Sequence, residues 1–121
     1  MKKIEINFKD EALKEYINLK DYVKQNKTSR NKPTYFQLLN SIEKTLTLIE
    51  INPYHGNLIP KKYLNKNLIK IYGTDKIYRE ELIGYWRLIY TLIGNEIKIV
   101  AIILDFMNHN DYNNLFGYKK R

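Results

Sequence analysis

No cysteine occurs in the 121 residues, which excludes disulfide frameworks, thiolate metal sites and a cysteine nucleophile, and suits a reducing cytoplasm. The five glycines form no glycine-rich phosphate loop, so nucleoside triphosphate binding has no support. The two histidines, His55 and His109, lie far apart and make a poor zinc set without thiolates. No carboxylate cluster suggests catalytic magnesium. Ser29 and Ser41 fall in a loop and a helix, away from any nucleophile-elbow context. Neither a metal nor a cofactor is expected. Met1 to Glu5 carries no signal-peptide apolar core, and the longest apolar run, Ile97 to Leu104, is broken by Lys98 and is strand-sized. The expectation is a cytoplasmic protein without a membrane partner, folded as one domain over residues 1–121.

Acidic residues are the other shortage. Thirteen face 21 basic ones, for a net charge of +8. Lys61, Lys62, Lys66 and Lys70 have no acid among them, and Lys119-Lys120-Arg121 adds a second basic cluster. Such a balance favours a polyanionic partner, nucleic acid first, against the plainer reading of a lysine-rich solvated surface.

Hydrophobic spacing sets the order of elements. Ile4 to Phe8 alternates as a strand. Asp10 is placed as an N-cap, and Leu13, Tyr16, Ile17 and Val23 then recur near helical spacing. Asn26 to Lys32 is a polar loop. Thr34 opens a second helix carried by Phe36, Leu39, Ile42, Leu46 and Ile49, and Asn52-Pro53 stops it. The two helices read as an αα-hairpin. His55 to Pro60 is turn-rich, Lys61 to Tyr72 reads as a short helix or irregular linker, and Gly73-Thr74-Asp75 marks a turn. Strands over Lys76–Leu82, Tyr85–Ile93 and Glu96–Leu104 then form a meander, with Gly94-Asn95 as a hairpin connection. A terminal helix begins near Asn108 or Asn110. The order β-α-α-β-β-β-α predicts an α+β fold: a single antiparallel sheet with the helical hairpin on one face and the other face partly open.

Within that meander, Gly84-Tyr85-Trp86-Arg87-Leu88-Ile89-Tyr90-Thr91-Leu92 sets one arginine in an aromatic and aliphatic strand. Alternation puts Trp86, Leu88, Tyr90 and Leu92 on one face and Arg87 on the other. A guanidinium rarely sits in such surroundings without an anion. Either Glu80 or Glu81 on the adjacent strand pairs with it, or the face accepts an anion from outside. Metal-free RNA cleavage requires a base for the 2′-hydroxyl, cations for the phosphorane and an acid for the leaving 5′-oxygen. Arg87 suits the second task through its planar fork, and Arg79 on the preceding strand lies within reach of it. His109 suits acid–base work near neutral pH, and Tyr112 is a proton donor or a stacking surface for a base. The plainer readings are an exposed Arg79, a helix-capping His109, a core Tyr112 and a His55 that belongs to a turn.

The stretch Tyr78 to Tyr90, above all Gly84 to Tyr90, resembles the RelE/ParE toxin superfamily of type II toxin–antitoxin modules. Helix, Asn52-Pro53 and the turn at Gly56 are similar to that family's helical hairpin and its exit. The resemblance implies a RelE-like toxin, a metal-independent, ribosome-dependent mRNA endonuclease that inhibits translation, with an acidic antitoxin and mRNA on the ribosome as partners. It implies Arg87, Arg79, His109 and Tyr112 as the catalytic set. Lys61, Lys62, Lys66, Lys76, Lys119, Lys120 and Arg121 would contact RNA. The alternatives are a ParE-like gyrase inhibitor and a degenerate, non-catalytic toxin-like binding protein. Glu80, Glu81 and the Asn108-Asn110-Asp111 surroundings of His109 depart from the RelE pattern.

Overall fold

Alternation of Ile4, Ile6 and Phe8 produces β1 (Lys3–Phe8), and Ile6 and Phe8 pack on the larger of two hydrophobic clusters. The computed structural model describes residues 2–26, 33–95 and 97–116. Helix α1 (Asp10–Gln25) follows directly. Asp10 is its first residue rather than its cap. The cap position is Lys9, and Asp10 and Glu11 place carboxylates at the positive end of the helix dipole. Helix α2 (Pro33–Ile51) returns alongside, joined to α1 by the Tyr16 hydroxyl donating to Glu43 at 3.0 Å and by the Tyr22–Tyr35 edge contact. Asn52-Pro53 ends it, as the restricted conformation before proline requires.

The strands are β2 (Asn57–Leu58), β3 (Tyr78–Glu81), β4 (Arg87–Gly94) and β5 (Lys98–Met107). A 3-10 turn (Lys61–Tyr63) and α3 (Lys66–Tyr72) separate β2 from β3, and α4 (His109–Leu115) follows β5. The sheet order is β1-β5-β4-β3-β2.

The fold is α+β with the helical hairpin on one face, but the sheet is mixed. β1 pairs with β5 in parallel, whereas β5, β4, β3 and β2 alternate antiparallel. The parity of the strand count explains the parallel pair. An out-and-back hairpin delivers the chain to the end of the sheet where β1 finished, so the next strand runs against β1. With three strands after the hairpin, the last would oppose β1. The short β2, hidden in the turn-rich stretch after His55, adds one reversal and makes β5 parallel to β1.

The second face carries a core of its own and is open only in part. Leu88, Tyr90, Ala101, Ile103 and Phe106 meet Ala12, Leu38, Ile42 and Ile49 of the hairpin. On the other side Ile89, Leu104 and Met107 pack with Leu64, Leu68, Tyr112 and Phe116, from α4 and the segment around α3. Those two short helices cover much of the face that Arg87 shares. No helix among the described residues is long and apolar enough to cross a membrane.

The connections follow from local chemistry. The Asn95 side chain accepts from the Ile97 and Lys98 amides at 2.8 and 3.0 Å, closing the β4–β5 hairpin. Gly94 (φ +150°) approaches the Lys98 carbonyl so closely that a Cβ would overlap it. Asn108 caps α4 by accepting from the Asp111 amide at 2.9 Å, which fixes where His109 and Tyr112 begin their turn.

Candidate functional site

Register decides which charges share a face. On β3 and β4, Arg79 pairs with Ile89 and Glu81 with Arg87, while Glu80 pairs with Leu88. Because side chains alternate, Arg79, Glu81 and Arg87 project on the face covered by α4, and Glu80 projects toward the hairpin. Tyr112 from α4 then lies against both arginines. The Arg79 and Arg87 guanidinium carbons each sit 5.7 Å from its ring centre, and Arg79 Nη1 donates to its hydroxyl at 3.3 Å.

Arg87 is held close but loosely bonded. Its side chain is 17% exposed, Nη1 donates to the Trp86 carbonyl at 3.4 Å, and Nη2 lies 3.8 Å from Glu81 Oε1. Its Nε is buried without a hydrogen-bond partner among the described residues. A guanidinium carries five donors, and contacts near 2.8 Å mark a strong charge-assisted bond. These distances leave much of that capacity unused. Two cations on one tyrosine ring also repel each other, and an anion between them would relieve both conditions.

His109 is the first residue of α4, two positions beyond Met107, which pairs with Arg87 across the sheet. Its ring packs edge-on against Tyr85 at 5.7 Å. Tyr85 is 72% exposed and takes a left-handed conformation (φ +64°) beside Gly84 (φ +66°), in the 3-10 turn Ile83–Tyr85 that replaces the expected start of β4. The imidazole thus meets the turn that leads into Arg87. Tyr112 is 2% exposed, and its ring packs at a tilt against Phe116 at 4.7 Å, so it is enclosed by protein groups.

The lysines are dispersed. Lys61 pairs with Asp75 at 3.6 Å, and the Lys62 ammonium lies over the Tyr63 ring. Lys66 opens α3, and Lys76 is exposed ahead of β3. Lys62, Tyr63, Leu64, Asn65 and Phe116 line an open cavity of about 410 Å³, separate from the arginine pair in its lining. Lys119, Lys120 and Arg121 lie outside the described residues.

The sequence offered both Glu80 and Glu81 to Arg87, and the geometry separates them. Glu81 faces Arg87, whereas Glu80, 7% exposed, receives the His55 Nδ1–H at 2.8 and 3.0 Å from its two oxygens. This pair, missed from sequence, ties the connection after α2 to β3. Tyr90 ties it again, donating to the Pro53 carbonyl at 2.8 Å and accepting from the Gly56 amide at 3.0 Å. Burial pushes the Tyr90 phenol up to about 12. Gly56 is required here, since a Cβ would stand 2.8 Å from the Tyr90 hydroxyl and 2.9 Å from the Arg79 carbonyl. The His55–Glu80 pair and the tyrosine together brace the backbone that carries Arg79.

No family model, curated protein or solved structure matches the chain.

Proposed function

We propose that the Arg79–Arg87 pair binds a phosphate of RNA, and that the protein is a RelE-like toxin: a metal-independent, ribosome-dependent mRNA endonuclease restrained by an acidic antitoxin. The observation that carries this reading is the convergence of two guanidiniums from neighbouring strands on one buried tyrosine, with the buried Nε of Arg87 unpartnered among the described residues. Arg87 and Arg79 stabilise the negative charge that grows on the phosphorane. His109 takes the 2′-hydroxyl proton as that oxygen attacks phosphorus and returns it to the 5′-oxygen as the P–O5′ bond breaks, giving a 2′,3′-cyclic phosphate and a 5′-hydroxyl. Tyr112 sets the spacing of the two guanidiniums. The exposed lysines follow the RNA backbone, and the net charge of +8 suits both RNA and an acidic antitoxin. A catalytic set this sparse depends on an externally positioned substrate, because orientation supplies much of the barrier reduction.

Burial of Tyr112 favours one second reading, a ParE-like protein that inhibits gyrase by binding, since the phenol then does no chemistry. Induced expression separates the two. Transcript cleavage within minutes, abolished by Arg87→Ala, supports the nuclease, whereas DNA breaks with intact transcripts support gyrase inhibition.

A further inference from the structure

Glu81 stands directly across from Arg87 in the β3–β4 register, with its carboxylate 3.8 Å from Nη2. The two side chains differ in freedom: Arg87 is 17% exposed and wedged beside Tyr112, while Glu81 is 62% exposed. The distance exceeds that of a tight charge-assisted bond, so Glu81 neutralises the guanidinium partly and can swing away at little cost.

We infer that Glu81 is the specificity-determining residue of the anion site. It is a built-in competitor that turns away small free anions and yields to a phosphate carried by a larger, separately anchored polyanion. The inference rests on the proposed phosphate-binding role of Arg87. A free phosphate must surrender translational and rotational freedom to displace Glu81, which is already tethered at the site. The tether gives the carboxylate an effective concentration on the order of millimolar. An RNA already held elsewhere on the protein or by a scaffold is tethered too, and then competes on even terms. The same carboxylate that weakens the site for solution anions therefore restricts it to presented substrates.

The test uses inorganic phosphate as probe and the chain's single tryptophan, Trp86, as reporter, because its carbonyl accepts from Arg87. Glu81→Gln keeps the side chain's size and removes its charge. The expected result is phosphate binding tightened by about two- to fivefold, the range of an exposed ion pair. That gain should disappear in Glu81→Gln combined with Arg87→Met, which removes the cation and keeps an unbranched side chain beside Tyr112. Unchanged or weaker binding by Glu81→Gln overturns the inference alone, as does a gain that persists without Arg87. Failure of both the wild type and Glu81→Gln to bind phosphate overturns the inference and the proposed function together.

Discussion

Replacing His55 by alanine strands a buried carboxylate, and the loss can be worked from its surroundings. Glu80 is 7% exposed, and its oxygens receive the imidazole N–H at 2.8 and 3.0 Å. An unsatisfied buried polar group costs about 1–3 kcal/mol, and one partner removed from a buried ion pair about 3–5 kcal/mol. His55 itself is 44% exposed, so water reaches the space it leaves and holds the penalty near the lower range. We expect His55→Ala to destabilise by about 2 kcal/mol, a fall in Tm of about 6–12 °C for a domain of this size. Urea unfolding of His55→Ala, Glu80→Leu and the double variant forms a cycle that isolates the pair. The double variant should lose less than His55→Ala alone, since no charge is then stranded. A His55→Ala variant within about 0.5 kcal/mol of the wild type would refute the reasoning.

Other outcomes follow from the same geometry. Gly56→Ala forces a Cβ against the Tyr90 hydroxyl and the Arg79 carbonyl, and should cost about 1–3 kcal/mol in urea unfolding. Asp105 is raised from its ordinary value of 3.8, chiefly by burial, with Asp111 adding repulsion against the lowering effect of the Phe106 amide. Its folded state therefore prefers the protonated carboxyl. The stability this preserves is present below 3.8 and is lost as pH rises through the elevated value. Asp105→Asn should accordingly stabilise the protein at neutral pH and show no advantage near the acid end. A gain independent of pH would contradict this.

Much of the fold was legible because its signals are local. The helical hairpin, the β3–β4–β5 meander and the Asn108 start of α4 rest on spacing, proline, turn residues and a capping side chain. β2 was not legible: its two residues, Asn57 and Leu58, are both exposed and too few to alternate. Missing it also reversed the expected pairing of β1 and β5, because strand direction is a parity that one extra strand changes. The second core escaped notice since Leu64, Leu68 and Ile77 come from short irregular pieces with no period of their own. At the site, alternation set Arg87 on the face opposite Trp86 and Leu88, and left the face of Arg79 and the choice between Glu80 and Glu81 to register. The His55–Glu80 pair joins residues distant in sequence, and no local pattern announces it. Tyr112 was one tyrosine among eleven, and its burial depends on how α4 folds back.

The central claim is that Arg87 serves an external phosphate. Its most direct test is mRNA cleavage in a purified translation reaction, with wild type, Arg87→Ala and Arg87→Lys compared at equal folded concentration. The account predicts cleavage by the wild type, none by Arg87→Ala, and a severe loss for Arg87→Lys, which keeps the charge without the planar fork. A folded Arg87→Ala variant that cleaves mRNA at the wild-type rate would contradict it.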